Sequence, residues 1–286
     1  MKKILITGAN SYIGTSFEKY IQENYPQDYV VDTVDMLDGA WRQKDFSIYD
    51  SVFHVAGIAH QKETKKNANL YYEVNRDLAI ETATKAKKDG VKQFIFLSSM
   101  SVYGMDTGVI TKDTVPTPKS NYGKSKLQAE EGITALRDGN FRVAILRPPM
   151  VYGDNCKGNY QMVVKIVELS PMFPRINNQR SMLHIINLAS FVKTCIDNHL
   201  NGIYFPQNEH YMNTKDMAQE IAIQKGKKLY MSYLLGFAVL MCRPFVGKLK
   251  KAFGTLIYVD TEEFGFTYCL TQRGEEVIKT SKEHGK

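Results

Sequence analysis

Short apolar runs alternate with longer amphipathic stretches through the first half of the chain. The runs are rich in β-branched and aromatic residues, which predicts buried strands. Between them apolar residues recur at helical spacing, as at Phe17, Tyr20, Ile21 and Tyr25. Strict alternation of strand and helix indicates right-handed βαβ units, so we predict an α/β fold with a Rossmann-type doubly wound parallel sheet. The predicted strands are 3–7, 29–34, 51–57, 93–99 and 142–148.

This regularity weakens after Gly153. The pattern there predicts loops, one more strand at 202–206 and a capped helix at 214–225. We therefore expect a smaller C-terminal lobe that closes over the first domain. The predicted first domain comprises residues 1–152, with 178–205 returning to it, and the predicted substrate-binding lobe comprises 153–177 and 206–286.

Composition narrows the class of protein. The chain has 286 residues, of which 43% are hydrophobic and 23% charged, as in an ordinary globular protein. Its four cysteines are far apart, which fits a reduced, cytoplasmic protein, and its six histidines have no metal-ligand spacing, so we predict no metal site. The formal net charge is +7 without any nucleic-acid motif. We therefore expect small phosphate-bearing partners and no nucleic acid.

The longest apolar stretch, 229–242, is too short to span a bilayer, and four cations follow it. Two interpretations remain for it. The favoured one packs the stretch over a substrate pocket, and the alternative is a helix on a membrane surface. On the favoured interpretation we expect no membrane association.

A glycine-containing turn follows the first predicted strand, where Gly8, Ser11 and Gly14 occupy the places of a GxxGxxG loop. Such a turn presents backbone N–H groups and a helix N-terminus to a diphosphate. Asp35 ends the second strand, where a carboxylate reads the ribose 2′-OH of NAD. NAD(H) is therefore favoured as cofactor, although Arg42 and Lys44 offer NADP(H) as an alternative.

Tyr122 and Lys126 lie four residues apart in "SNYGKSK", a stretch that can begin a helix. Spacing of this kind places both side chains on one helical face. A lysine ammonium beside a phenol makes an acid–base group out of a side chain that otherwise titrates near pH 10. A surface Tyr–Lys pair is the alternative, and the dinucleotide-binding context favours the acid–base interpretation.

Taken together, TGxxxxIG, the serine before "VYG", YxxxK and "LRPPMVYG" resemble the extended short-chain dehydrogenase/reductases. The resemblance is to their NAD-dependent epimerase/dehydratase family, which acts on nucleotide sugars, and it runs from Gly8 to about Phe264. It implies a catalytic triad of Ser99, Tyr122 and Lys126. It implies substrate contacts at Met100, Ser101, Asn159 and Arg180, and cofactor contacts at Gly8, Asn10, Ser11, Tyr12, Ile13, Gly14, Asp35, Ala56, Gly57, Asn75, Lys126 and Pro149.

Departures from the family pattern bear on the reaction. Met100 and Ser101 stand where dehydratases carry an acid–base pair, which argues against a dehydratase. Met150 stands where many 4-epimerases carry Asn, which argues modestly against an epimerase. Segments 174–185 and 251–264 resemble capsule and O-antigen proteins that reduce a UDP-2-acetamido-2,6-dideoxy-hexos-4-ulose.

Three functions follow from these features. The leading interpretation is an NAD(P)H-dependent nucleotide-sugar 4-ketoreductase with a UDP-sugar substrate. A UDP-hexose or UDP-N-acetylhexosamine 4-epimerase is the first alternative. A cofactor-sensing protein without catalysis is the second. The resemblance also implies a homodimer.

Overall fold

The structure is a computed structural model that describes residues 1–59, 61, 63–156, 158–259, 266–270 and 276–280. Its strands, in chain order, are β1 (Lys2–Thr7), β2 (Tyr29–Val34), β3 (Ser51–His54), β4 (Gln93–Leu97), β5 (Gly108–Ile110), β6 (Arg142–Leu146), β7 (Met150–Tyr152), β8 (Met172–Pro174), β9 (Met182–His184), β10 (Gly202–Tyr204), β11 (Tyr230–Ser232), β12 (Leu256–Tyr258), β13 (Phe266–Leu270) and β14 (Glu276–Thr280).

Nine α-helices are present in the described part of the chain. They are α1 (Tyr12–Asn24), α2 (Ala68–Tyr72), α3 (Leu78–Lys88), α4 (Asn121–Thr134), α5 (Asn159–Leu169), α6 (Ile185–Asp197), α7 (Thr214–Gln224), α8 (Tyr233–Cys242) and α9 (Gly247–Phe253). A five-residue π-helical segment, Glu73–Asp77, joins α2 to α3.

The central sheet has six parallel strands in the order β10-β6-β4-β3-β1-β2, which confirms the predicted doubly wound sheet. Residues of β1 alternate between its two faces. Ile4 and Ile6 pack with α1 and α6, whereas Leu5 packs with α3 and α4. Both faces are therefore covered, which explains why the inner strands β1, β3, β4 and β6 are mostly apolar and buried.

The strand order reverses beside β1, because β2 lies on one side of it and β3 on the other. The loops that leave β1 and β3 therefore diverge and open a crevice at the carboxyl ends of the strands. In open α/β sheets a ligand binds at such a switch point.

A second, smaller core forms between α5, α7, α9 and the β8–β11 pair. Short strand pairs β5–β12 and β7–β9 connect it to the central sheet. α6 packs against α1, and β10 joins the central sheet beside β6. The residue boundaries of the two lobes remain a prediction.

The expectation that 229–242 packs over a substrate pocket is wrong for most of its side chains. α8 comprises residues 233–242 of this stretch, and of the residues in α8 only Gly236 is buried. Leu234 is 78% and Phe237 is 64% exposed, because only one side of the helix rests on β8. No helix in the described ranges is long and apolar enough to cross a membrane.

Candidate active site

The glycine-containing turn after β1 is held tightly against the loop after β3. Gly8 has φ +113°, and a Cβ at this position would lie 2.8 Å from the backbone nitrogen of Ala56, so glycine is required. The Ser11 hydroxyl accepts a 3.1 Å hydrogen bond from the Gly14 nitrogen and caps α1. Ser11, which stands in place of the middle glycine of the motif, therefore acts as a helix cap. The sequence comparison with GxxGxxG did not predict this role.

The loop after β3 is fixed by a buried amide. Asn75, in the π-helical segment, accepts from the Ile58 nitrogen at 2.8 Å and donates to the Ile58 carbonyl at 3.0 Å. A Cβ on Gly57 would lie 2.8 Å from Asn75 Oδ1 and 3.4 Å from Lys126 Nζ. Gly57 is thus pressed between the amide and the lysine, and any larger residue displaces one of them.

Tyr122 lies in the first turn of α4, whose N-terminus is capped twice. The Ser120 hydroxyl accepts from the Gly123 nitrogen at 3.1 Å. The Glu63 carboxylate accepts from the nitrogens of Asn121 and Tyr122 at 3.0 and 3.1 Å. These bonds fix the helix start and with it the position of the phenol.

The pKa of Tyr122 is raised by burial, and a hydrogen bond with Ser99 opposes that rise. The Ser99 hydroxyl accepts from the Ser101 nitrogen at 3.1 Å and lies 3.2 Å from the Ser101 hydroxyl. Tyr122 and Ser99 therefore come together although 22 residues of other structure separate them. Ser101 orients the Ser99 hydroxyl from the following turn.

Lys126 lies one turn after Tyr122 and is buried. Its ammonium donates to the Leu97 carbonyl at 2.8 Å and lies 4.7 Å from the centroid of the Phe96 ring. Burial lowers the pKa of Lys126 to about 8, and the charge of Glu130 acts in the opposite direction. The lysine thus remains mostly cationic at neutral pH.

Glu130 belongs to a buried network behind the lysine that sequence reasoning missed. Arg147 donates to Glu130 Oε2 at 2.6 Å and to the Tyr103 hydroxyl at 2.8 Å, and Ser98 also bonds to Glu130. The only signal in the sequence was that Glu130 follows Lys126 by four residues, on the same face of α4.

One cavity of about 730 Å³ unites most of the predicted site. Arg180 lines it, and Arg180 Nη1 donates to the Gly254 carbonyl at 2.9 Å. Met105, Asp106 and Lys251 also line it, and no motif in the sequence indicated them. The predicted residues that line the cavity are Asn10, Ser11, Tyr12, Ile13, Gly57, Ser99, Met100, Ser101, Tyr122, Lys126, Pro149 and Arg180.

The other predicted residues lie behind the cavity wall or at its edge. Gly8, Gly14 and Ala56 shape the turn from behind, and Asn75 holds the loop at Gly57. Asp35 follows β2. The side chain of Asn159, the first residue of α5, lies outside the described part of the chain.

Asp35 and Arg42 differ in their partners. Asp35 Oδ1 accepts a 2.9 Å hydrogen bond from the Leu37 nitrogen, which fixes the turn after β2. The Arg42 guanidinium forms two hydrogen bonds with Glu81, of 2.5 and 2.6 Å, and lies over the Trp41 ring. A 2′-phosphate would have to compete with Glu81 for this arginine.

His54 is buried at the end of β3 and does not line the cavity. Its Nδ1 lies 2.7 Å from the Thr7 hydroxyl, and its ring stacks on Phe94 and Phe96. Burial, helped by the charge of Lys126, lowers the pKa of His54 to about 3. Among the described residues no group of His, Cys, Asp and Glu could hold a metal ion.

Comparison with known proteins shows the family to which this chain belongs. Residues 4–211 match the sequence model of the NAD dependent epimerase/dehydratase family. The chain belongs to this family. It is an NAD(P)-dependent enzyme of the extended short-chain dehydrogenase/reductase type, with epimerase- or reductase-type activity on nucleotide sugars.

Individual relatives agree with this membership. A UDP-glucose 4-epimerase of Vibrio cholerae is 32% identical over 79% of this chain and 76% of its own. An N-acetyl-α-D-glucosaminyl-diphospho-ditrans,octacis-undecaprenol 4-epimerase of Escherichia coli O157:H7 is 25% identical over 86% of this chain and 80% of its own. A UDP-glucuronic acid 4-epimerase of Bacillus cereus, solved with NAD, has the same fold, with 18% identity, 92% and 91% coverage and a TM-score of 0.70.

The geometry of this epimerase/dehydratase family member fits a dinucleotide. Residues 10–13 at the N-terminus of α1 line the cavity, and a Cβ at Gly8 or Gly57 would disturb its wall. Arg180 and Lys251 supply positive charge on the side of the smaller lobe, where the Asp106 carboxylate lies 3.7 Å from the Lys251 ammonium. The cavity can therefore hold a diphosphate at each end, with Ser99, Tyr122 and Lys126 between them.

Proposed function

We propose that this enzyme is a 4-epimerase of a UDP-linked hexose or N-acetylhexosamine. The observation that carries the proposal is the convergence of Ser99, Tyr122 and Lys126 on one cavity, with Met100 and Ser101 where a dehydratase needs acids. Two relatives that match more than three quarters of the chain are named as 4-epimerases. Their names favour epimerisation over the 4-ketoreduction that the sequence segments indicated.

The triad carries the proton chemistry of this reaction. A nicotinamide bound beside it would take a hydride from C4 of the sugar and return one to the opposite face. Tyr122 takes the proton of the C4 hydroxyl as the hydride leaves, and gives it back when C4 is reduced again. Ser99 holds the C4 oxygen by a hydrogen bond, and the Lys126 cation favours the phenolate of Tyr122.

Arg180 binds the diphosphate that carries the sugar. One N–H group of its guanidinium donates to the Gly254 carbonyl. The guanidinium has further N–H groups in the same plane, and a planar set of donors matches the geometry of phosphate oxygens. Inversion at C4 requires the 4-keto sugar to rotate while the diphosphate stays bound.

NAD(H) is the cofactor that this proposal favours. Asp35 follows β2, where a carboxylate accepts from a ribose 2′-OH and repels a 2′-phosphate. Arg42 is held by Glu81, so it offers little to NADP(H). Two further expectations belong to the same proposal: a cytoplasmic location, from the spacing of the four cysteines, and a homodimer, from the family resemblance.

A 4-ketoreductase is the second candidate, because Met150 lines the cavity where many epimerases carry Asn. The two reactions differ in their use of NADH. An epimerase oxidises and re-reduces one sugar, whereas a reductase consumes one NADH for each ketone.

The test supplies purified enzyme with NAD and either UDP-GlcNAc or UDP-glucose, and follows sugar configuration by NMR and the nicotinamide absorbance together. We expect the 4-epimer to form from at least one sugar without net change in NADH, and Tyr122→Phe to slow its formation about 10²–10⁴-fold. If the enzyme leaves both sugars unchanged but consumes NADH in proportion to an added UDP-4-keto-6-deoxy-N-acetylhexosamine, it is a reductase.

A further inference from the structure

The outward side of α8 is an exposed apolar surface on the smaller lobe. Five of its side chains form what we name the α8 surface: Tyr233, Leu234, Phe237, Leu240 and Met241, which are between 43% and 78% exposed. They recur at helical spacing and therefore share one face. The α8 surface is therefore a contiguous patch of exposed apolar side chains. Contiguous apolar patches mark interaction sites.

The opposite side of α8 holds the helix firmly in place. A Cβ on Gly236 would lie 2.6 Å from the Arg175 carbonyl, so the helix rests directly on the backbone after β8. The Ser232 hydroxyl caps the helix by accepting from the Leu235 nitrogen at 3.2 Å. Within the α8 surface itself, the Tyr233 ring is also contacted by the Arg175 guanidinium, which lies 4.5 Å from its centroid. The α8 surface is thus presented by an anchored helix.

Positive charge is concentrated in the same part of the chain. Residues 221–259 contain seven lysines and arginines and neither aspartate nor glutamate. The net charge of this segment therefore equals the formal net charge of +7 of the whole chain, and the remainder is balanced. Lys248 and Lys250, both exposed, belong to α9, which follows α8 after Phe245, a side chain that is 88% exposed.

We propose that the α8 surface docks on a bilayer of anionic phospholipids. Aromatic and aliphatic side chains enter the boundary between headgroups and acyl chains, while Lys248 and Lys250 contact lipid phosphates. α8 has 10 residues, too few to cross the hydrocarbon core, so the helix lies in the plane of the surface.

A bilayer fits better than a second copy of the chain. A two-fold interface centred on α8 would bring the cation-rich segment of one copy against that of the other. Among the described residues, acids form ion pairs with only two of its seven cations, Lys225 with Glu168 and Lys251 with Asp106. An anionic membrane offers acyl chains to the apolar side chains and negatively charged headgroups to the lysines. Since Lys251 of α9 lines the catalytic cavity, docking also brings that cavity close to the membrane.

The test measures co-sedimentation of the full chain with vesicles of phosphatidylcholine alone or of phosphatidylcholine with phosphatidylglycerol. We expect binding to the anionic vesicles that weakens with salt, and little binding to the neutral ones. Lys248→Gln/Lys250→Gln should lower the partition coefficient roughly 25-fold, about fivefold for each cation removed. The control Lys65→Gln/Lys66→Gln removes the same charge from an exposed site elsewhere and should bind as the unchanged protein does.

Phe237→Glu tests the apolar contribution and should reduce vesicle binding at least tenfold. Its control, Val115→Glu, adds the same charge at a side chain that is 73% exposed. This control should not reduce vesicle binding. Circular dichroism verifies that each variant is folded. Equal binding to neutral and anionic vesicles, or binding unchanged in the lysine variant, would overturn the proposal. So would a dimer by light scattering that Phe237→Glu dissociates, together with no vesicle binding.

Discussion

The ammonium of Lys126 donates a 2.8 Å hydrogen bond to the carbonyl of Leu97, the residue that ends β4. Lys126 is thereby tied from α4 to the edge of the central sheet. The same ammonium would lie 3.4 Å from a Cβ on Gly57, in the loop after β3. The position of the cation therefore depends on two strand ends and one helix at once.

Gly57→Ala tests how closely this loop approaches the lysine. The added methyl meets Asn75 Oδ1 at 2.8 Å, so the loop must shift or the amide must lose its bonds to Ile58. We expect NAD to bind at least tenfold more weakly by calorimetry, with a small loss of thermal stability. Gly139→Ala is the matched control, since a Cβ there meets nothing within 4 Å. Unchanged NAD affinity in Gly57→Ala would contradict the close approach.

Cofactor affinity should depend on pH through Lys126. Burial holds its pKa at about 8, below the ordinary value for lysine, so the cation is present at neutral pH and lost as the pH rises through about 8. We expect NAD binding to weaken between about pH 7 and pH 9.5, because a neutral amine is a poorer donor to the nicotinamide ribose. Lys126→Met should bind NAD weakly and without this pH dependence. A wild-type profile that is flat over the same range would argue against the role given to Lys126.

Sequence patterns predicted the sheet well because its inner strands, β1, β3, β4 and β6, are mostly apolar and buried on both faces. The Tyr122–Lys126 pair was predictable since its spacing lies within one helix. Contacts between distant segments were not: Glu63 caps α4 from a loop, and Lys251 reaches the cavity from the other lobe. α8 was predicted incorrectly because an apolar run is ordinarily buried, and no local pattern indicates that a helix will rest on the protein by one side only.

Tyr122 and Arg180 should affect different kinetic constants. Tyr122→Phe removes the proton donor and acceptor, so kcat should fall about 10²–10⁴-fold while NAD still binds. Arg180→Ala removes binding that ground and transition states share, so KM should rise and kcat should change little. Steady-state kinetics of both variants, with NAD affinity measured separately, distinguishes the two effects. A Tyr122→Phe enzyme of near-normal rate would refute the triad.

Stability at acid pH should depend on His54. Its pKa is about 3 in the folded protein and 6.5 as an ordinary histidine, so below pH 6.5 the unfolded chain binds a proton that the folded chain does not. The free energy of unfolding should therefore fall by about 2 kcal/mol from about pH 7 to pH 5 through this group alone. Urea unfolding of the wild type and of the Thr7→Val/His54→Phe variant, at about pH 7 and pH 5, measures this fall in the free energy of unfolding. Equal pH dependence in the two proteins would contradict the shifted pKa.

In the proposed reaction, the enzyme removes a hydride from C4 and returns it to the opposite face of the same sugar. UDP-N-acetylglucosamine labelled with deuterium at C4 tests this directly, with UDP-glucose labelled likewise as the second substrate. Mass spectrometry and NMR of the product report where the label lies and in which configuration. We expect the 4-epimer to form and to keep its deuterium at C4, with no added NADH required. A product that carries hydrogen from added NADH at C4, formed only when a 4-keto sugar is supplied, would contradict it.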